Sequence, residues 1–369
     1  MDKILPMWLR HSRALPLDIH LFWNTSWKVS GWRVEKNRGA LHLMATHMHR
    51  LTSLSLLMAH WLWLLPAGIC LEAPVLRMFQ LRNFWSGFGV DSSALGEFCT
   101  PALTDLYVAG IPFKWLDVVK HTPQQLCRFH GPDYDMLVGE LVSFLNQHPN
   151  LDFFIVMLKE VPRNVPQNLP QPSLVYHTCL KSLVISYSYN SAIELDDILL
   201  NLQTPNLKSL ELIVMNYGDL LITPSCNPLL QILHWINSLL QVSLQYLVIQ
   251  LPSVIHSMAN DFCEIIGLVS LLETLHIRGK GQMCMDGEFL AIFNHADQPA
   301  ILLSLVSLTF KGMYVSPSSL YTMLQSCLSS CNKLDSLVKL KEFEGKDLIL
   351  EPRYRSTPFF YWTRRALRC

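Results

Sequence analysis

Neither sign of charge is in excess in this chain. Lys plus Arg number 29, Asp plus Glu number 29, and the formal net charge is zero. That balance argues against the basic surface that nucleic-acid binding needs, and it offers no attraction to an anionic membrane. Charged residues of both signs make up only 16% of the 369 residues while half are hydrophobic, which excludes disorder for most of the length.

Clustered cysteine is also missing. The ten cysteines are scattered singly, and the closest two, Cys327 and Cys331, lie a helical turn apart. Neither a disulfide scaffold nor a zinc site is built that way. Buried thiols in a reducing compartment are expected, hence an intracellular protein, cytoplasmic or nuclear. The N-terminus lacks a signal-peptide core. One apolar run, Ser53 to Leu71, has the length of a membrane span, but His60 and Pro66 interrupt it. A buried strand and helix are expected there instead, and no membrane partner.

Catalytic signatures are absent too. There is no G-x-S-x-G. His47 and His49, with His42 as a possible third ligand, have no nearby Cys, Asp or Glu and read as surface histidines. Asp196 and Asp197 fall in the first turn of an expected helix, where carboxylates favour the helix dipole. Gly279-Lys280-Gly281 lacks the rest of a phosphate loop and falls where a turn is due after a strand. Cys179 has no nucleophile context. No catalytic residue, metal ligand or cofactor is assigned, and the chain is not expected to be an enzyme. The tryptophans, among them Trp8, Trp23, Trp27, Trp32, Trp61 and Trp63, are expected to pack in core or cap.

What the chain does have is a repeat. The pattern L-x-x-L-x-L, with occasional Phe, Val or Ile, begins at Leu51, Leu76, Leu103, Leu151, Leu180, Leu207, Leu244, Leu272 and Leu305. A weak successor, LDSLVK, starts at Leu334, and a degenerate copy, LCRFHG, at Leu126 divides the widest gap. Most steps approach the upper end of the leucine-rich-repeat period of ~20–29 residues. In a strand, alternate residues share a face, so Leu210 and Leu212 point inward while Ser209 and Glu211 point outward.

Between the strands, helices are expected over Asp135–Gln147, Glu194–Leu202 and Ala259–Leu271, and after Ser316-Pro317, where Ser316 caps and Pro317 takes the first helical position. The junctions His148-Pro149-Asn150-Leu151 and Thr204-Pro205-Asn206-Leu207 share one design. PLDIHLFW, from Pro16, alternates like an opening strand. The expected fold class is therefore α/β: a leucine-rich-repeat solenoid over residues 1–340, with a loop or break near 161–172. Residues 341–369 form a C-terminal cap or tail.

Such an array presents its outward strand residues as one surface, which suits protein binding. The candidate face comprises Arg77, Gln80, Asp105, Tyr107, Ser209, Glu211, Gln245, Tyr246, Thr274 and His276. Thr52, Ser53, Lys181, Ser182, Ser307 and Thr309 occupy equivalent places.

Three short motifs carry a resemblance. Trp8-Leu9-Arg10-His11-Ser12-Arg13-Ala14-Leu15-Pro16-Leu17, His49-Arg50-Leu51-Thr52-Ser53-Leu54-Ser55-Leu56 and Ala73-Pro74-Val75-Leu76 are similar to steps of the F-box-associated leucine-rich-repeat proteins of fungi. That resemblance implies a substrate-recognition array of a ubiquitin ligase, holding a protein partner. In that family an F-box precedes the array and docks a Skp-type adaptor. Leu5-Pro6-Met7 is too short to hold one, so the chain resembles the recognition half alone, and a Skp-type adaptor is expected only if an F-box lies upstream. The alternative is a structural or assembly scaffold with no role in ubiquitin transfer.

Overall fold

In the computed structural model, the residues described are 4–22, 43–58, 70–83, 97–110, 125–158, 174–187, 199, 201–214, 235, 243–251, 259–285, 287–293, 304–316, 318–323, 325, 342–346, 349–350 and 361–363. They form an α/β protein with a large, mostly parallel sheet and few helices. Two compact units divide the chain: Met1–Met136 with Ser143–Met157, and Leu137–Val142 with Leu158–Cys369.

The first unit opens with helix α1 (Ile4–His11) and strand β1 (Leu17–Phe22), followed by β2 (Leu51–Met58), β3 (Cys70–Glu72), β4 (Met78–Asn83), β5 (Glu97–Cys99), β6 (Asp105–Ala109), β7 (Arg128–Met136) and β8 (Phe153–Leu158). Its main sheet runs β1-β2-β4-β6-β7-β8, while β3 and β5 pair separately. The pairs from β1 to β7 are parallel, and the register is that of the repeat: Leu54 faces Phe79, which faces Leu106, which faces Phe129. The degenerate copy at Leu126 is thus a full rung, and PLDIHLFW supplies the first one.

Helix α2 (Val138–Gln147) straddles the division between units. It starts later than its sequence pattern predicts, because Asp135 and Met136 complete β7. The Glu140 carboxylate then accepts the Leu137 N–H at 3.1 Å, fixing the first turn as the reciprocal half of a capping box does. In the first unit, Phe144 packs between Phe129 and Phe154, with ring centroids 4.9 and 5.4 Å away.

The second unit contains β9 (Val175–Tyr176), β10 (Ser182–Tyr187), β11 (Leu202–Gln203), β12 (Ser209–Val214), β13 (Tyr246–Leu251), helix α3 (Ala259–Leu268), β14 (Thr274–Met285), helix α4 (Gly287–Ala291), β15 (Ser307–Val315), β16 (Glu342–Lys346), β17 (Ile349–Leu350) and β18 (Tyr361–Thr363). Its strands run β10-β12-β13-β14-β15-β16-β18, parallel except for the final antiparallel pair. Leu210, Leu247, Leu275, Leu308 and Phe343 share one register position. Glu342–Lys346 supplies the rung that pairs with β15, and LDSLVK at Leu334 lies outside the described residues. Glycine and lysine in EFEGK hide that rung from any leucine pattern.

Two local devices recur along the rungs. The first is a turn in which the leading leucine donates its N–H to the carbonyl three residues back: Leu76 to Ala73, Leu103 to Thr100, Leu151 to His148, Leu207 to Thr204 and Leu272 to Val269. Proline follows the acceptor in four of these turns (Pro74, Pro101, Pro149 and Pro205), where its fixed φ suits the second turn position. The second is a shared acceptor. The N–H groups of rung positions two and three both reach the position-two carbonyl of the preceding rung, as Thr104 and Asp105 do to Arg77, and Glu273 and Thr274 do to Gln245.

Rung positions one, four and six fill the core. Leu103, Phe129, Phe154, Leu183, Leu210, Leu212, Leu247 and Ile277 are fully buried, each burial stabilising by roughly 1.5–3 kcal/mol. Trp235 is buried as well, its indole N–H donating to the Leu202 carbonyl at 2.9 Å.

The N-terminal motif residues are tied together. Arg50 donates to the Ser12 hydroxyl at 2.6 Å and to the Leu15 carbonyl, and Leu9 is buried beneath them. Trp8, by contrast, is 45% exposed, because its neighbour Leu9 takes the inward side of α1. Residues 318–323 are helical, and the Ser316 carbonyl accepts the Leu320 N–H as an N-cap does. The expected loop at 161–172, and most of the expected helix at 194–202, fall outside the described residues.

Candidate binding face

Rung positions three, five and seven leave the sheet on the side opposite the core. In the first unit this side carries Tyr107, His130 and Phe153 on β6, β7 and β8. The Tyr107 and His130 rings lie 5.6 Å apart, and His130 stacks on Phe153 at 4.5 Å. Alongside runs a line of alternating charge in which Arg128 sits 3.7 Å from Asp105 and 3.9 Å from Asp152. Thr104 donates its hydroxyl to Asp105 at 2.8 Å. Burial holds the His130 pKa below its usual value, with Asp105 opposing and Arg128 adding to the shift. Gln80 belongs to the same side, bonded to the Ser55 hydroxyl.

In the second unit the same side carries Glu211, Tyr246 and His276 on β12, β13 and β14. The Tyr246 hydroxyl lies 3.4 Å from His276 Nδ1, and the two rings meet edge to face at 5.2 Å. Glu211 and His276 flank Val248 in register, and Val248 is fully buried between them. That covering explains the electrostatics. Burial raises the Glu211 pKa, partly offset by Arg278, and burial followed by the Glu211 charge raises that of Tyr246.

The outward side is therefore not uniformly open. Ser53, Ser55, Val184, Ser186 and Thr309 are buried on it, because strands stand so close that long neighbours roof over short ones. Of the residues expected on this face, Tyr107 and Asp105 join one cluster, and Glu211, Tyr246 and His276 another. Ser209 and Thr274 flank Tyr246 in register. Arg77 and Gln245 stand one residue before their strands and contribute the shared carbonyl acceptors. Arg128, His130, Asp152 and Phe153 were missed, although aligning LCRFHG as a full rung places His130 beside Tyr107.

Among the described residues no group of His, Cys, Asp and Glu has metal-binding geometry, and no helix is long and apolar enough to cross a membrane. His47 and His49 have ring centroids 6.4 Å apart. Cys99, Cys127 and Cys179 are half-buried thiols that form no disulfide with one another, and Cys127 donates to the Gln125 carbonyl at 3.3 Å. Of the suspected membrane run, residues 53–58 form part of β2, and residues 59–69 lie outside the described residues. His42, Asp196 and Asp197 also fall outside them. Gly279-Lys280-Gly281 is not a turn after a strand: it lies inside β14, at an interruption of its pairing with β15.

No family model matches the chain, and no curated protein matches it. Among solved structures, the chain is similar to a protein from Bacteroides fragilis at 17% identity and a TM-score of 0.38. That match covers 76% of this chain and 68% of the other.

Proposed function

We propose that this chain is a leucine-rich-repeat solenoid whose outward strand face binds another protein. The observation that carries the reading is the ring series Tyr107, His130 and Phe153 on three successive strands, edged by Asp105, Arg128 and Asp152. Aromatic residues and arginine dominate the binding energy of protein interfaces, while charged neighbours set register and orientation. Rigid strands hold these groups in place before the partner arrives, which lowers the ordering cost of association. The resemblance of the N-terminal motifs to F-box-associated arrays extends the reading to recognition of a ubiquitin-ligase substrate. A Skp-type adaptor enters only through an F-box upstream of this segment.

Affinity capture tests this, using the chain and its Tyr107→Ala/Phe153→Ala variant side by side, with circular dichroism to confirm that both fold. A protein retained by the former and lost from the latter supports the reading. Identical captures overturn it. Co-recovery of a Skp-type adaptor supports the ligase role, and a partner captured without any adaptor leaves an assembly scaffold.

A further inference from the structure

The second unit gathers cations at one irregular place in its sheet. Arg278 on β14 stands opposite Lys311 on β15, and Lys311 opposite Lys346 on β16. Ile277 and Phe310, the residues before Arg278 and Lys311, are fully buried, so these two cations leave the sheet on the outward side. Like charges directly opposite one another repel across a strand pair. The row concentrates positive charge, of which Glu211 balances part through Arg278.

Just beyond this row the pairing breaks. Residues 279–282 of β14 stand opposite Gly312 alone before the register resumes with Met283 opposite Met313. Such a bulge leaves its extra residues without ladder partners on that side. Gly279 and Gly281 bracket Lys280 at its centre, and with no Cβ they admit a ligand close to the backbone. Across from them Gly312 has φ 66°, a conformation that suits glycine. Backbone N–H groups released from a ladder, beside arginine and lysine, are the chemistry that holds phosphoryl oxygens. Among the described residues, Glu211 on β12 and Glu342 and Glu344 on β16 occupy other register rows, the last two opposite Ser307 and Thr309.

We propose that this basic bulge binds a phosphoryl group carried on a bound protein segment. The inference rests on the protein-binding reading above and names the partner's chemistry. Lys311 is exposed, and the row lies on the open side of a sheet. A free small anion gains too little enclosure at such a place, since small-molecule sites bury most of their ligand. A phosphate presented by a macromolecule gains the remaining contacts from the surrounding surface.

The test is fluorescence anisotropy of the full chain with a degenerate phosphoserine and phosphothreonine peptide library, its dephosphorylated counterpart, and a labelled single-stranded oligonucleotide. The phosphorylated library is expected to bind, and the Arg278→Gln/Lys311→Gln variant to lose about tenfold or more in affinity. Equal binding of both libraries, no binding of either, or unchanged affinity in the variant overturns the inference. Tighter binding of the oligonucleotide overturns it in favour of nucleic acid, and full competition by micromolar inorganic phosphate in favour of a free anion. The protein-binding reading is judged separately, through the Tyr107→Ala/Phe153→Ala capture. A partner lost there but retained by the Arg278/Lys311 variant leaves that reading standing and this one refuted.

Discussion

The imidazole of His130 lies against the ring of Phe153 on the neighbouring strand, with centroids 4.5 Å apart and planes inclined by 26°. Burial keeps that imidazole neutral below the pH at which a free histidine protonates. Its folded pKa is depressed from 6.5, so the stability it contributes is complete above that value and is lost as the pH falls through the folded pKa. Urea midpoints measured between pH 7.5 and 5 are expected to fall more steeply in the native chain than in His130→Gln. Parallel pH profiles for the two proteins would refute this account.

Phe153 and Phe154 are adjacent in sequence and opposite in role. Phe154 is fully buried between Phe129 and Phe144, so Phe154→Ala is expected to cost about 3–5 kcal/mol in chemical denaturation. Phe153→Ala removes an outward stack and is expected to cost about 1 kcal/mol. The loss of partner binding should show the reverse order. Equal destabilisation by the two substitutions would mean that the assigned faces are wrong.

Gly131 is required by close packing. A Cβ there would stand 2.7 Å from Cε1 of Phe129 and 2.9 Å from Cβ of Tyr134, the pair whose rings meet edge to face at 6.0 Å. Gly131→Ala is expected to cost about 1–3 kcal/mol by overpacking. A thermal midpoint equal to that of the native chain would show that the Phe129 ring gives way freely.

Trp235→Phe retains most of the apolar volume but removes the donor to the Leu202 carbonyl. The expected loss is about 1–3 kcal/mol, the cost of leaving a buried acceptor unmet. Hydrogen exchange in β9 and β11 should accelerate with it, and unchanged exchange there would confine the effect to the indole itself.

The sequence made the rungs legible because leucine at positions one, four and six is a burial requirement repeated at every strand. Leu210 and Leu212 could be placed with no knowledge of neighbouring strands. The rungs that escaped are those where burial was met by other means. Phe129 replaces leucine beside Gly131, and EFEGK offers the leucine pattern only one apolar residue, Phe343, at the register position of Leu308. The outward clusters were harder to read, since Tyr107 finds His130, and Tyr246 finds His276, only across strands whose register the sequence does not state. The Gly279-Lys280-Gly281 segment was misplaced because glycine signals a turn and a bulge alike. The choice between them is made by the partner strand, where Gly312 alone fills the gap.

The shared acceptor has a consequence for how such a chain changes over generations. Among the described residues, the rungs beginning at Leu103, Leu126, Leu151, Leu207, Leu244, Leu272 and Leu305 each donate two backbone bonds to one carbonyl of the rung before. Consecutive rungs of this kind present matching backbone edges, so duplicating or excising one of them is expected to keep the series of shared acceptors intact. Length can drift by whole rungs, while the residues at positions three, five and seven diverge independently from copy to copy.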